Sequence, residues 1–248
     1  MLDRPPRRRF KKHATPLVDV LSLAPDHPVV VEGRTLFPKS VLKPTGNEFL
    51  LKRGDLSRKF GDRIVKGRWR GFALYSLSLE ERKTCPKSCE RWSDCYGNKM
   101  PFADRFEAGP ALMENLAIEL ELLSLKHRNG FAVRLHNLGD FFSVAYVKQW
   151  LKWLDQFPPL HVFGYSHHKP SSPVGKVLDH ASRTQWDRFA MRFSDVAGSD
   201  RRANTIFEVV RGRTESGVVC PAQTGDSDCC GSCGLCWQST TNIAFLAH

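Results

Sequence analysis

The sequence predicts an α/β domain on a parallel sheet, a partial (β/α) barrel of about six parallel strands with a basic N-terminal extension. Three observations predict it. From residue 71 onward, short apolar runs alternate with longer stretches of helical period. The alternation fills roughly 150 residues, too few for a complete eight-stranded barrel. Polar and sulfur-bearing residues recur directly after the apolar runs, and parallel sheets place their sites at strand carboxyl ends.

Residues 1–70 read as the extension. Residues 1–16 carry Pro5, Pro6, the run Arg7, Arg8, Arg9, then Lys11, Lys12 and Pro16, the composition of a disordered arm. Residues 28–36 read as a strand or hairpin with Glu32 and Gly33 at the turn. Residues 38–70 mix scattered apolar positions with many cations, including Lys52, Arg53, Lys59, Arg63 and Lys66.

The barrel spans residues 71–248, with a terminal cysteine segment at 217–248. Strand one is 72–79, and a cysteine loop follows it. Pro110 suits a first helical turn, and Met113, Leu116, Leu120 and Leu123 keep helical spacing to about residue 127, where Asn129 and Gly130 stop the helix. Strand two is 131–136. Ser143 is the expected N-cap of a helix over 144–156, with Val147, Trp150, Leu151 and Leu154 on one side. Pro158 and Pro159 end it. Strand three is 160–165, a weaker helix covers 173–182, and strands four, five and six are 187–193, 205–210 and 217–219. Trp150 and Trp153 are expected in the core and at its rim.

Composition limits the function classes. Apolar content is 41% and charged content 25%, ordinary for a globular protein. No apolar run reaches the roughly 18 residues of a membrane span, and the N-terminus lacks the apolar core of a secretory signal. The expected setting is the cytosol, with no membrane partner. Disulfides are rare there, so eight cysteines imply metal or redox chemistry. The net charge is +11, and residues 1–70 hold 17 Lys and Arg against 7 Asp and Glu, a net of +10. So uneven a distribution points to a polyanion, with nucleic acid or a nucleotide first, against the plainer reading of a solubilising arm.

The cysteines fall into two sets. Cys85, Cys89 and Cys95 form C-x3-C-x5-C on the loop after strand one. Three soft thiolates leave one coordination position open, as in a [4Fe–4S] cluster with one free iron. The competing reading is a zinc site completed by His136, His167 or a distal cysteine. Cys220, Cys229, Cys230, Cys233 and Cys236 form the second set, and 230–236 reads C-x2-C-x2-C, a spacing used by ferredoxins and by zinc sites. A closed site needs four thiols. Cys220, Cys230, Cys233 and Cys236 are the expected ligands, with either Cys229 or Cys230 as the spare. His167 and His168 read as ordinary loop histidines, while Tyr165, ending strand three, is placed to line the site.

A strand, a three-cysteine loop and a helix opening a partial barrel resemble the radical S-adenosylmethionine (SAM) superfamily over residues 72–248. The usual spacing there is C-x3-C-x2-C, and the five-residue second gap departs from it. The segments Cys95-Tyr96-Gly97 and 134–142 look more like phage-encoded radical-SAM-like proteins. The resemblance implies that Gly139 and Asp140 occupy the place of a Gly-Gly-Glu-like element that holds the methionine amino group. It implies that Arg192 and Ser194 resemble the strand-four element serving the SAM ribose or carboxylate, and that Val218 and Val219 back the adenine. It also implies an auxiliary [4Fe–4S] cluster at the C-terminal cysteines and an electron donor such as flavodoxin or ferredoxin.

The expected function is therefore an iron–sulfur enzyme that reductively cleaves SAM to start radical chemistry. The alternative is a non-catalytic, zinc-stabilised nucleic-acid-binding protein.

Overall fold

The computed structural model describes residues 26–57, 59–92 and 95–247, so the basic arm expected at 1–16 lies outside the described residues. The strands are β1 (Val41–Leu42), β2 (Lys52–Arg53), β3 (Ala73–Leu77), β4 (Arg105–Phe106), β5 (Phe131–Leu135), β6 (Leu160–Ser166), β7 (Phe189–Ser194), β8 (Arg202–Ile206), β9 (Arg213–Thr214), β10 (Gly217–Val219) and β11 (Ile243–Leu246). The helices are α1 (Pro28–Val31), α2 (Pro110–Lys126), α3 (Val144–Gln156), α4 (Pro173–Thr184), α5 (Pro221–Thr224), α6 (Cys230–Cys233) and α7 (Leu235–Gln238).

The architecture is mixed α/β around one nine-stranded sheet ordered β2-β3-β5-β6-β7-β8-β11-β10-β9. The strands from β3 to β10 in that order are parallel to their neighbours, and only the edge strands β2 and β9 run antiparallel. Among the described residues the sheet does not close into a barrel. β1 and β4 form a separate two-stranded parallel pair.

From β3 to β8 each parallel strand lies beside the one before it. Right-handed crossovers then carry α2, α3 and α4 to the same face. The core reflects this. Tyr75, Leu77, Val133, Leu135, Val162, Met191 and Phe193 meet Leu116 and Leu120 of α2, Trp150 and Leu154 of α3, and Leu178 of α4. Alternate strand residues face the other way. There Leu74, Ala132, Phe163 and Ala190 form an apolar layer covered by Phe60, Ile64, Trp69 and Trp237. One step nearer the carboxyl ends, the same face carries Ser76, Arg134, Tyr165, Arg192 and, last, Ser194. This apolar-to-polar change positions the site.

Residues 50–70 are integral to this fold. Leu50 and Leu51 lie in the helix-side core, β2 extends the sheet, and Phe60, Ile64 and Trp69 cover its other face. The Glu119 carboxylate of α2 accepts from the backbone N–H groups of Leu50 and Leu51 at 2.9 and 3.1 Å.

Two local expectations change. The hairpin expected at 28–36 is instead one helical turn, α1. Pro28 has the φ of a first helical residue, and His27 serves as a cap: its Nδ1 accepts from Val29 N at 3.2 Å and its carbonyl from Val31 N at 3.0 Å. Local capping outweighs the strand preference of three consecutive valines. Strand five lies at 202–206, upstream of 205–210. Its start is pinned by Arg202 N donating to the Asn242 side chain at 2.8 Å, and Phe207 and Val209 are exposed. β11, which sequence reasoning did not find, inserts between β8 and β10. Among the described residues no helix is long and apolar enough to cross a membrane.

Candidate metal centre

The first cysteine loop leaves the carboxyl end of β3 over a framework of buried charge. Arg105 Nε meets Glu81 at 2.6 Å with both side chains fully enclosed. The same guanidinium donates to the carbonyls of Gly97, Met100 and Ala103. Thr35 Oγ1 donates to Glu81 at 2.6 Å, and Arg34 pairs with the buried Glu80 at 2.5 Å. Arg82 reaches both limbs of the loop, donating to the Trp92 carbonyl at 3.0 Å and to the Asn98 side chain. Tight turns then present the sulfurs, with Cys89 N on Pro86 O and Asn98 N on Cys95 O.

The loop is also tied to the end of β5. Gly139 sits at φ +81°, and a Cβ there would stand 2.6 Å from Thr84 Oγ1 and 2.8 Å from Leu79 Cβ. That space lets Thr84, next to Cys85, accept from Asp140 N at 3.1 Å. Cys85, Cys89 and Cys95 lie within one another's electrostatic reach. Burial pushes the Cys89 thiol up to about 12 and the Cys95 thiol up to about 11. As free thiols they are neutral, so ligation as thiolates requires a cationic centre beside them.

The rim residues predicted from sequence have separate placements. Asp140 is buried, one carboxylate oxygen accepting from Phe141 N and the other from His167 N, both at 2.7 Å, so it joins the ends of β5 and β6. His136 faces the helices. Its Nε2 is 3.1 Å from Tyr146 Oη, and burial lowers its pKa to about 3. It is a core imidazole, placed to complete neither cysteine set. His168 Nε2 is 2.8 Å from the Phe141 carbonyl, while His167 turns to Asp195 at 4.0 Å. Asp195 directly follows β7. It also faces Arg91 of the cysteine loop at 3.7 Å and accepts from Thr205 Oγ1 at 2.7 Å.

The second set lines a small pocket, about 10 Å3 in volume, with Cys220, Cys230, Cys233, Cys236 and Ile243 among its walls. Cys229 is not in that lining. It is the N-cap of α6, with its backbone N–H on Ser232 Oγ, and its sulfur lies against Gly61. The segment docks on the sheet's non-helix side through Cys230 N to Lys59 O and Gly231 N to Phe60 O. Burial raises the Cys220 thiol to about 11 and also raises those of Cys230 and Cys233.

Two residues expected to bind or line the cofactor site, Arg192 and Tyr165, contact this second set. Arg192 is fully buried and donates to the carbonyls of Cys236 at 3.1 Å, Thr241 at 2.8 Å, Leu235 at 3.4 Å and Ser239. Tyr165 Oη donates to Cys236 Sγ at 2.7 Å, and burial followed by the Cys236 charge raises its hydroxyl pKa. Ser194 ends β7 on the face shared with Arg192.

All-thiol donor sets suit soft metals. Among the described residues no three His, Cys, Asp or Glu side chains gather tightly enough to chelate a single metal ion. A polynuclear iron–sulfur cluster holds its thiolates farther apart than a single ion does, and the second set offers four cysteines on one small pocket. Compared with protein-family models, with curated proteins and with solved structures, the chain matches none of them.

Proposed function

We propose that this chain is an iron–sulfur enzyme of the radical SAM type acting on a nucleic acid or nucleotide. One observation carries the reading: Cys85, Cys89 and Cys95 share the loop after β3, the first long strand of a mostly parallel sheet whose strands from β3 to β8 lie in sequence order. In this reading the sheet is a partial (β/α) barrel. Cys85, Cys89 and Cys95 hold a [4Fe–4S] cluster with one iron open to SAM, and Cys220, Cys230, Cys233 and Cys236 hold a second cluster. When bound, the first cluster supplies the electron that cleaves SAM and starts hydrogen abstraction. The chain's part is to position and to exclude water. Arg82 and the Arg105–Glu81 pair fix the loop, Gly139 and Asp140 set the floor of the rim, and Arg192 with Tyr165 holds the second site in register with β6 and β7. Phage-encoded relatives, a cytosolic setting and a flavodoxin- or ferredoxin-like donor belong to the same reading, and the basic residues 1–70 support a polyanionic substrate.

Purification without oxygen tests it. The protein is expected to be brown and to contain iron and sulfide, and with dithionite and SAM it should release 5′-deoxyadenosine. Zinc at both sites would end the reading. The C-x2-C-x2-C spacing favours one alternative, zinc at the second site alone, which the same metal analysis separates. Deleting residues 1–16 should weaken nucleic-acid binding and flatten its salt dependence; unchanged binding would return the arm to a solubilising role.

A further inference from the structure

Two arginines stand on the polar layer of the sheet's non-helix face, and their surroundings differ. Arg192 is filled by four carbonyls. Arg134, on β5, has neither an ion pair nor a hydrogen bond among the described residues, and its Nε is buried without a partner. Its guanidinium lies 5.5 Å from the centre of the Tyr165 ring, whose hydroxyl is already engaged by Cys236. Electrostatically it faces Tyr96, which follows Cys95, and Cys230 and Cys236 of the second set. Residues of both cysteine segments are therefore within its electrostatic reach. Its side chain is half-buried, with Nε enclosed and the two outer nitrogens open, and an enclosed guanidinium nitrogen without a partner is costly. Its planar fork matches the paired oxygens of a phosphate or carboxylate.

We propose that Arg134 is the anchor of an anion site that faces both cysteine segments, taking a phosphate or carboxylate of the molecule bound there. The site deepens the proposed function by giving it an anionic ligand, and it rests on that reading only for the identity of the ligand. A phosphate would come from a nucleotide substrate, a carboxylate from the methionine end of SAM.

The test is calorimetric titration of the oxygen-free protein, as wild type, Arg134→Gln and Arg134→Lys, with pyrophosphate and with SAM. Arg134→Gln should weaken at least one probe by about 10- to 100-fold, and Arg134→Lys by less, with iron, sulfide and melting temperature unchanged. Loss confined to pyrophosphate assigns the nucleotide source, and loss confined to SAM the carboxylate. Equal affinities in wild type and Arg134→Gln would overturn the proposal, as would binding of neither probe to the wild type. Lost iron or a shifted reduction potential at unchanged affinity would also overturn it, leaving Arg134 to balance thiolate charge. Should Arg134→Gln fail to fold, phenylglyoxal labelling of the wild type followed by mass spectrometry decides. Protection of Arg134 by either probe supports the site, and its absence refutes it. A colourless zinc protein that still binds pyrophosphate through Arg134 would defeat the radical reading and leave the anion site standing.

Discussion

Replacing Arg192 with Met keeps much of the side chain's length and removes its charge and all of its donors. The change leaves the carbonyls of Leu235, Cys236, Ser239 and Thr241 without the guanidinium that gathers them. A hydrogen bond to a charged group contributes about 1.5–3 kcal/mol, and four on one guanidinium are not additive. Relief of burying the charge offsets part of the loss. The net expectation is about 3–5 kcal/mol, a large share of the roughly 5–15 kcal/mol that stabilises a domain. It should fall locally, because all four acceptors belong to the segment carrying Cys233 and Cys236. The assay is metal content with hydrogen exchange under anaerobic conditions. Arg192→Met should lose the metal of the second site, about half the total in the two-cluster reading, and should exchange faster over 230–246, with α2, α3 and α4 still protected. Arg192→Lys, a single-point donor, should lie between. Full metal content and wild-type exchange in Arg192→Met would refute the clamp.

Three further outcomes are expected. Burial holds His136 neutral, with its pKa lowered to about 3, so the unfolded chain takes up the proton first. Stability contributed by this group is complete above about pH 6.5 and falls by about 1.4 kcal/mol per unit below it, or about 2 kcal/mol by pH 5. His136→Phe should flatten that slope in urea titrations, and identical slopes would count against a buried neutral imidazole. Gly139→Ala combines a left-handed φ with a clash on Thr84, and should cost about 2–4 kcal/mol and deplete metal at the first site, read by melting and elemental analysis. Cys230→Ser should lose metal from the second site, whereas Cys229→Ser should retain it; the reverse result would exchange their roles.

The helices and central strands were legible in the sequence because both periodicities are clean there. Val144–Gln156 carries its apolar residues at helical spacing behind a Ser143 cap that does accept from Tyr146 N, and Phe131–Leu135 and Leu160–Ser166 fall within a residue of expectation. The cysteine sets were visible by spacing alone. Other features were not legible because they depend on contacts far apart in the chain. Nothing local tells Cys229 from Cys230; Gly61 and the cap of α6 make the distinction. Nothing local shows that Glu81 would find Arg105, or that β11 would enter the sheet between β8 and β10. Arg134 did leave a signal, a lone cation in an apolar strand on the face opposite the helices. That signal acquires meaning only once Arg192, two strands away, is seen to be filled.

A parallel sheet whose strands follow in sequence receives all its helices on one face and must shield the other by different means. Here the shield is partly the C-terminal cysteine segment. Trp237 follows Cys236, is fully buried against Phe163, and stacks on Trp69 at 5.6 Å with nearly parallel rings. Burying a tryptophan contributes on the order of 4 kcal/mol as an upper estimate. Yet α6 and α7 are four residues each, too short to persist alone. Trp237 and the Arg192 clamp hold them in place, and in the two-cluster reading metal affinity at the second site would in part be folding free energy. Stripping that metal should therefore expose Leu74, Ala132, Phe163 and Ala190 and raise hydrogen exchange in 59–70 together with 230–246. If exchange rose in 230–246 alone, Trp237 would remain docked without metal, and the cysteine site would be an attachment to a completed core and not a part of it.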